Sequence, residues 1–184
     1  MKKVLVPLAD GFEEIEAVAV IDILRRAQDV EVTVAGVGKK APQGSHGITL
    51  HADQRIEPLV GGEYDLIVLP GGMPGTRRLA ESHAVARFLK DQTSAGRLLA
   101  AICAAPTILE QHGLLAGVRA TCHFSVRDRL KTCVYVDEPV VQDGNIITSQ
   151  GAGTAVEFAL RLVEILVGKE ESDRIAEAIR RPTG

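Results

Sequence analysis

The stretch LLAAICAAPTIL, residues 98–109, carries a single cysteine, Cys103, with small alanines close on both sides. A strand is predicted to end at Ile102, and Pro106 is typical of the first turn of a helix. Such a strand-to-helix elbow lifts a nucleophile off the sheet, and its tight backbone leaves room only for small neighbours. The start of the helix would favour a thiolate. A small, inert core cysteine is the alternative.

A second candidate feature is the glycine-rich turn LPGGMPG, residues 69–75, which follows another predicted strand. Gly71 and Gly72 let the backbone approach a ligand and direct amides at it, which suits an oxyanion or a phosphate equally well. The turn lacks both the Lys-Ser/Thr ending of a P-loop and GxGxxG spacing, so nucleotide binding is not supported. Taken alone, the motif favours an ordinary glycine-rich turn over a ligand-binding loop.

The third feature is Glu16 in DGFEEIEA, residues 10–17. On a helical projection Glu16 lies within the apolar arc, whereas Glu13 and Glu14 are expected to complement the helix dipole from solvent. Burial without a cation raises the pKa of a carboxyl group. Glu16 is therefore predicted to be protonated near neutral pH and to act as a donor or general acid, unless the helix phase is misjudged.

His123, in ATCHFS, follows a short predicted strand after the cysteine elbow. An imidazole there could serve as the base beside Cys103. A lone histidine in a loop is also commonly a surface residue, so the spacing leaves both interpretations open.

Apolar runs alternate with helical patterns along the chain, which is typical of buried parallel strands. Strands are predicted at 3–8, 30–37, 64–70, 97–102 and near 119–122, with an edge strand at 47–53 and a hairpin turning at Asp143-Gly144. Helices are predicted at 14–27, 82–94, after Cys103, at 156–167 and at 170–181. The pattern predicts one doubly wound α/β domain over residues 1–184, with ligand chemistry where strands end and helices begin.

The composition narrows the function classes. A net charge of -3 without any basic block, and only four Phe and two Tyr, do not favour nucleic acid as a structural partner. Acidic residues interrupt the first apolar run, and no run approaches the ~18–20 residues of a membrane span, so a cytoplasmic protein is expected. The three cysteines lack CxxC or paired Cys/His spacing and are expected to be thiols, with no metal and no cofactor.

Taken together, GFEEIEAVAVIDILRRA, VLPGG, AAICAAP and TCH resemble the ThiJ/PfpI superfamily, in particular the branch of bacterial YajL and the human parkinsonism-associated deglycase. The resemblance implies a flavodoxin-like, doubly wound, mostly parallel sheet sandwiched by helices, and a homodimer. Carried over by position, it implies that Cys103 is the nucleophile, Glu16 the protonated carboxyl and His123 the nearby histidine. It also implies that the amides of Gly72 and Ala104 form the oxyanion pocket.

Four positions depart from the human relative. His46 and Gln150 stand where it carries arginines near the pocket, which does not support an anion preference at that rim. Gly44 and His51 stand in place of its two further cysteines.

The residues around His123 and Cys103 do not favour two related branches of the superfamily. Class I glutamine amidotransferases orient their histidine with a glutamate in an H-x-E arrangement, whereas His123 is followed by Phe124 and Ser125. The protease-like branch places a histidine directly after the cysteine, where this chain has Ala104. Peptide hydrolysis is therefore not expected, because a cysteine without an oriented base acylates amides poorly.

The resemblance implies a cysteine-dependent deglycase or glutathione-independent glyoxalase, acting on methylglyoxal and glyoxal or on their protein and nucleic-acid adducts. The alternative is an oxidative-stress sensor and redox-regulated chaperone that binds unfolded proteins, with Cys103 oxidised to a sulfinate. A structural or binding module with an inert thiol is the third hypothesis. The expected partners are a second copy of the chain and small aldehydes or glycated proteins and nucleotides, with no membrane.

Overall fold

The computed structural model describes residues 1–181, which form a central sheet with helices on both faces. The strands are β1 (Lys2–Leu8), β2 (Val30–Gly36), β3 (Gln54–Arg55), β4 (Leu66–Leu69), β5 (Leu98–Ile102), β6 (Arg119–Ala120), β7 (Val134–Tyr135), β8 (Val140–Asp143) and β9 (Ile146–Ser149). The helices are α1 (Glu14–Arg26), α2 (Gly75–Ala80), α3 (His83–Ser94), α4 (Pro106–Gln111), α5 (Ala155–Val167) and α6 (Lys169–Ala178). Short 3-10 turns lie at Glu57–Leu59, Phe124–Arg129 and Ala152–Thr154.

Seven strands form the main sheet in the order β3-β2-β1-β4-β5-β9-β8. All neighbours are parallel except β8 and β9, which are antiparallel. The chain moves outward from β1 to β2 and β3 and then returns to the other side of β1 through β4. This reversal is the switch point at which doubly wound sheets bind ligands. The flavodoxin-like, mostly parallel fold class predicted from the sequence is confirmed.

The two faces of the sheet bury two separate apolar clusters. Val4, Val6 and Leu8 of β1 pack on one face with α1 and α5. Leu5 points to the other face, which α2, α3 and α4 cover. Because strands of a parallel sheet are buried on both faces, they read as continuous apolar runs rather than as alternating patterns.

Most predicted elements lie within two residues of the observed ones, but several features differ. The edge strand predicted at 47–53 is wrong, because backbone hydrogen bonds tie that segment to residues 40–42 and the sheet edge is formed instead by β3. The hairpin turns one residue later than predicted, at 144–145, with Gly144 at φ 54°. Helix α2 was missed because its sequence, GTRRLA, carries almost no apolar periodicity.

Over residues 1–181, no helix combines the length and the apolar character needed to cross a membrane.

Candidate active site

Cys103 lies directly after β5, at the turn into α4. Its φ of 63° is in the left-handed region, where a non-glycine residue stores strain of order 1–3 kcal/mol. Two backbone hydrogen bonds hold this conformation: the Cys103 amide donates to the Ser149 carbonyl, and the His123 amide donates to the Cys103 carbonyl, both at 2.9 Å. The strand-to-helix elbow expected from the alanines and Pro106 is therefore present.

Glu16 faces the interior from the first turn of α1 and is 1% exposed. Glu13 caps this helix, since its Oε2 accepts the Glu16 amide at 2.7 Å. Glu16 Oε2 in turn accepts the Gly71 amide at 2.9 Å. Burial and the charge of Glu13 together raise the pKa of Glu16 to about 7, against hydrogen bonds from Cys103 and Gly71 that lower it.

The neighbouring Glu14 corrects one expectation. It was predicted to be solvent-exposed, but it is 5% exposed, and its carboxylate accepts the His46 amide and the Ser45 hydroxyl. The carboxylate thereby pins the 45–48 loop to the start of α1. A Cβ on Gly44 would overlap the Glu14 carboxylate, so a larger residue at that position would require this side chain to shift.

Burial and the Glu16 carboxylate together raise the pKa of the Cys103 thiol to about 12, against hydrogen bonds from the Gly72 and Ala104 amides that lower it. The expectation that a helix start favours the thiolate is weakened, because α4 has only six residues. With both pKa values raised, Cys103 and Glu16 hold at most one negative charge between them near neutral pH. When Glu16 takes the proton, its repulsion of the sulfur disappears and it becomes a donor.

The glycine turn after β4 lets three backbone segments meet at this pair. A Cβ on Gly71 would lie 2.6 Å from both Cys103 Cβ and Glu16 Oε2. Gly72 has φ 90°, and a Cβ there would overlap the backbone of residues 11–13, directly before α1. The amides of Gly72 and Ala104, which the family resemblance implies are the oxyanion donors, reach the sulfur. An oxygen bound to the carbon that the sulfur attacks would lie beside these donors.

Gly151 is a site residue that the sequence analysis missed. A Cβ there would lie 3.4 Å from His123 Cδ2, 3.9 Å from Glu16 Oε1 and 4.0 Å from Cys103 Sγ. The structure thus brings the three predicted catalytic residues around one point that is open because residue 151 has no side chain. Its position just after β9, at the same sheet edge as Cys103, was the signal that could have found it.

Hydrogen bonds engage both rim positions that replace arginines. His46 Nδ1 lies 2.9 Å from Glu14 Oε2, which raises the pKa of His46. Gln150 Nε2 donates to Asp137 Oδ1 at 2.8 Å. Neither His46 nor Gln150 therefore offers an unpaired positive charge at the rim of the pocket. His51, which stands in place of a cysteine of the human relative, is exposed and lines a groove along α1.

Within the described part of the chain, one group has the composition of a metal site: ligand atoms of Glu13, Glu14 and His46 lie within 4.8 Å of one another. The hydrogen bonds of Glu14 to the 45–48 loop account for this cluster without an ion.

Comparisons with known proteins agree with this geometry. Residues 2–165 match the DJ-1/PfpI family. Protein dj-1beta of Drosophila melanogaster is 43% identical over 181 residues, which cover 97% of this chain and 96% of that protein. Glutathione-independent glyoxalase DJR-1.2 of Caenorhabditis elegans is 37% identical over 178 residues, covering 96% of this chain and 94% of that protein.

A solved structure shows the same fold. The structure of oxidized Toxoplasma gondii DJ-1 superposes with a TM-score of 0.96 at 40% sequence identity, covering 100% of both chains. The family match, the full-length relatives and this superposition all span the residues of the sheet, the elbow and the glycine turn. The chain belongs to the DJ-1/PfpI family.

Proposed function

We propose that this protein is a cysteine-dependent glyoxalase or deglycase that acts on methylglyoxal and glyoxal or on their protein and nucleic-acid adducts. One observation carries the proposal: the Cys103 sulfur lies against two backbone amides and beside a carboxyl group whose pKa is about 7. A relative named as a glutathione-independent glyoxalase supports enzymatic activity in general.

The first step is addition of sulfur to the aldehyde. The proton of the pair rests on Glu16 while the Cys103 thiolate attacks the aldehyde carbon, and a C–S bond forms as the C=O π bond breaks. The amides of Gly72 and Ala104 stabilise the developing oxyanion, a contribution that is worth ~3–4 kcal/mol per donor in other acyl-transfer sites. Glu16 then gives its proton to this oxygen, which yields a hemithioacetal and a Glu16 carboxylate.

The second step moves hydrogen between the two substrate carbons. The Glu16 carboxylate removes the proton from the carbon bonded to sulfur, and the electrons pass to the neighbouring carbonyl, giving an enediolate. Glu16 returns its proton to that neighbouring carbon while a proton passes between the two oxygens, so the product is a thioester of a 2-hydroxy acid. A base with a pKa near 7 is suited to both directions of this transfer.

The last step is hydrolysis. Water attacks the thioester carbonyl, the C–S bond breaks, and lactate leaves when methylglyoxal is the substrate, or glycolate when glyoxal is. One proton of the water returns to Glu16 and one is released, which restores the starting state of the pair. Adducts that release the free aldehyde at the site enter the same sequence.

The test follows methylglyoxal loss and lactate formation with purified protein. Wild type should form one lactate for each methylglyoxal that it consumes, and Cys103→Ser should form none. Undiminished conversion by Cys103→Ser would refute the proposed nucleophile. Methylglyoxal loss without lactate would indicate trapping by thiols and amines rather than turnover.

A redox sensor and redox-regulated chaperone is the second candidate, supported by the related Toxoplasma gondii structure that is described as oxidized. Each hydrogen peroxide would transfer one oxygen atom to the Cys103 thiolate and leave as water or hydroxide, so two equivalents give the sulfinate. A protonated Glu16 would donate a hydrogen bond to it. Mass spectrometry should then show a gain of two oxygen atoms at Cys103 and suppression of client aggregation only after that gain.

A further inference from the structure

The imidazole of His123 is held by Ser125, two residues along the chain. Nδ1 of His123 accepts the backbone amide of Ser125 at 3.3 Å, and it lies 2.8 Å from the Ser125 hydroxyl. His123 thereby caps the 3-10 turn Phe124–Arg129 with its side chain.

This geometry fixes the position of the imidazole proton. A backbone N–H can only donate, so the Nδ1 that receives it has no proton of its own. In a neutral imidazole the proton must then lie on Nε2. The Ser125 hydroxyl can rotate its hydrogen toward Nδ1 as a second donor and reinforce the same tautomer.

The opposite edge of the ring faces the reaction site. Cδ2 of His123, the atom bonded to Nε2, lies on the side of Gly151, the Cys103 sulfur and Glu16 Oε1. The His123 amide is anchored on the Cys103 carbonyl at 2.9 Å, and its ring packs on Phe124 with centroids 4.2 Å apart. The ring is therefore positioned from two sides.

We propose that Ser125 is a positioning residue that makes His123 a hydrogen-bond donor through Nε2, and that this N–H binds the second oxygen of a dicarbonyl substrate. The assignment rests on the proposed glyoxalase function. The Gly72 and Ala104 amides bind the oxygen on the carbon that sulfur attacks. Removal of the proton by Glu16 builds negative charge on the neighbouring oxygen, where a fixed donor stabilises the transition state.

In the H-x-E arrangement, the residue two positions after the histidine has the opposite effect on the imidazole proton. A glutamate two residues after the histidine accepts from Nδ1, leaving Nε2 unprotonated and able to act as a base. Ser125 donates at that position instead. His123 is then not the base that deprotonates Cys103, and Glu16 carries the protons.

The experiment compares wild type with Ser125→Glu and Ser125→Ala, and uses Asp128→Asn in the same exposed turn as the control. Nitrogen-15 NMR of histidine-labelled protein at pH 8.5 reports the tautomer directly. We expect the Nε2–H form in wild type, Asp128→Asn and Ser125→Ala, since the last keeps the amide donor. Ser125→Glu should switch His123 to the Nδ1–H form.

Kinetics form the second arm. In Ser125→Glu the kcat for methylglyoxal should fall by about 100-fold, as when one oxyanion donor is removed, with KM little changed. Alkylation of Cys103 should not fall, because no base is lost and Nε2 of His123 becomes able to act as one. An Nδ1–H tautomer in wild type, or wild-type kcat in a Ser125→Glu protein shown to be Nδ1–H, would overturn the proposal. If wild type turns over no dicarbonyl, the function and the donor role fail together, whereas the tautomer assignment is decided by NMR alone.

Discussion

Glu16 Oε2 accepts the Gly71 amide at 2.9 Å, which ties the first turn of α1 to the glycine turn after β4. Because this bond fixes one oxygen of the carboxyl group, the other, Oε1, is left on the side of Gly151 and the Cys103 sulfur. The carboxyl group therefore has a structural oxygen and a reactive one. This division makes Glu16 a suitable proton carrier.

Glu16→Gln separates nucleophile reactivity from proton transfer. The amide oxygen of the glutamine can accept from Gly71, and its NH₂ group can donate to the sulfur, but it cannot release and regain a proton. We expect methylglyoxal turnover to fall by ~10²–10⁴-fold, the range for lost general acid–base catalysis. Alkylation of Cys103 and sulfinate formation with peroxide should persist. Full turnover in the variant would contradict the role of Glu16.

The raised pKa of Glu16 also predicts how stability depends on pH. The carboxyl group titrates near 4.5 when unfolded and at about 7 when folded, so the folded state retains the proton more tightly. As pH rises from 4.5 to 7 wild type should lose about 3 kcal/mol of unfolding free energy through this group, and above 7 the loss should be complete. Chemical denaturation at pH 4.5 and pH 7.5 measures it.

Glu16→Gln is the reference for that experiment, since it has no proton to lose. Its stability relative to wild type should increase between the two pH values by about the same 3 kcal/mol. A difference that does not change with pH would show that Glu16 titrates normally.

The fold could be predicted well from the sequence because buried parallel strands are continuous apolar runs, as at β1 and β4. The burial of Glu16 could be predicted because helix α1 begins at the expected residue, so the helical projection placed Glu16 on the correct face. The sequence did not predict the burial of Glu14, whose partners lie in the distant 45–48 loop. It also missed Gly151, because the three side chains that surround this position lie on other segments and meet only after folding.

Gly151→Ala tests whether the space at the centre of the site is needed for substrate. The new methyl group would make ordinary contacts of 3.4–4.0 Å with His123, Glu16 and Cys103, so the variant should fold. It would occupy the volume where a carbonyl must bind, and methylglyoxal turnover should fall by at least about 10-fold, the cost of ~1.4 kcal/mol.

Gly153→Ala is the matched control, because a Cβ there meets nothing within 4 Å. It should leave turnover and the melting temperature unchanged. Equal turnover in the two variants would indicate that substrate does not use the space beside Gly151.

The three cysteines should differ in reactivity toward iodoacetamide at neutral pH. Cys103 has an acceptor for its proton in Glu16 and two amides at its sulfur. Cys122 is 1% exposed, so its sulfur is closed to the reagent, and burial raises the pKa of Cys122 and of Cys133 just as it raises that of Cys103. Peptide mass spectrometry after a short exposure should find Cys103 labelled first. Equal labelling of all three would show that the elbow confers no special reactivity.

A second copy of the chain is the partner we predict for the outer face of α1. Ile15, Val18 and Ile48 are 58%, 43% and 56% exposed, and Ile48 lies beside the helix start through its amide contact with Glu14. Next to them is a groove of about 260 Å³ lined by both apolar side chains and the opposite charges of Asp22 and Arg25. A surface that carries both charges can complement itself across a twofold axis.

Light scattering at micromolar concentration should give a mass near twice the 19.6 kDa of one chain. Val18→Glu should shift the protein toward the single-chain mass, because it would place two carboxylates in an apolar contact. Val60→Glu is the control, since Val60 has the same 43% exposure but follows the 3-10 turn Glu57–Leu59 instead of lying on α1. A wild-type mass of one chain, or equal dissociation by both variants, would refute this interface.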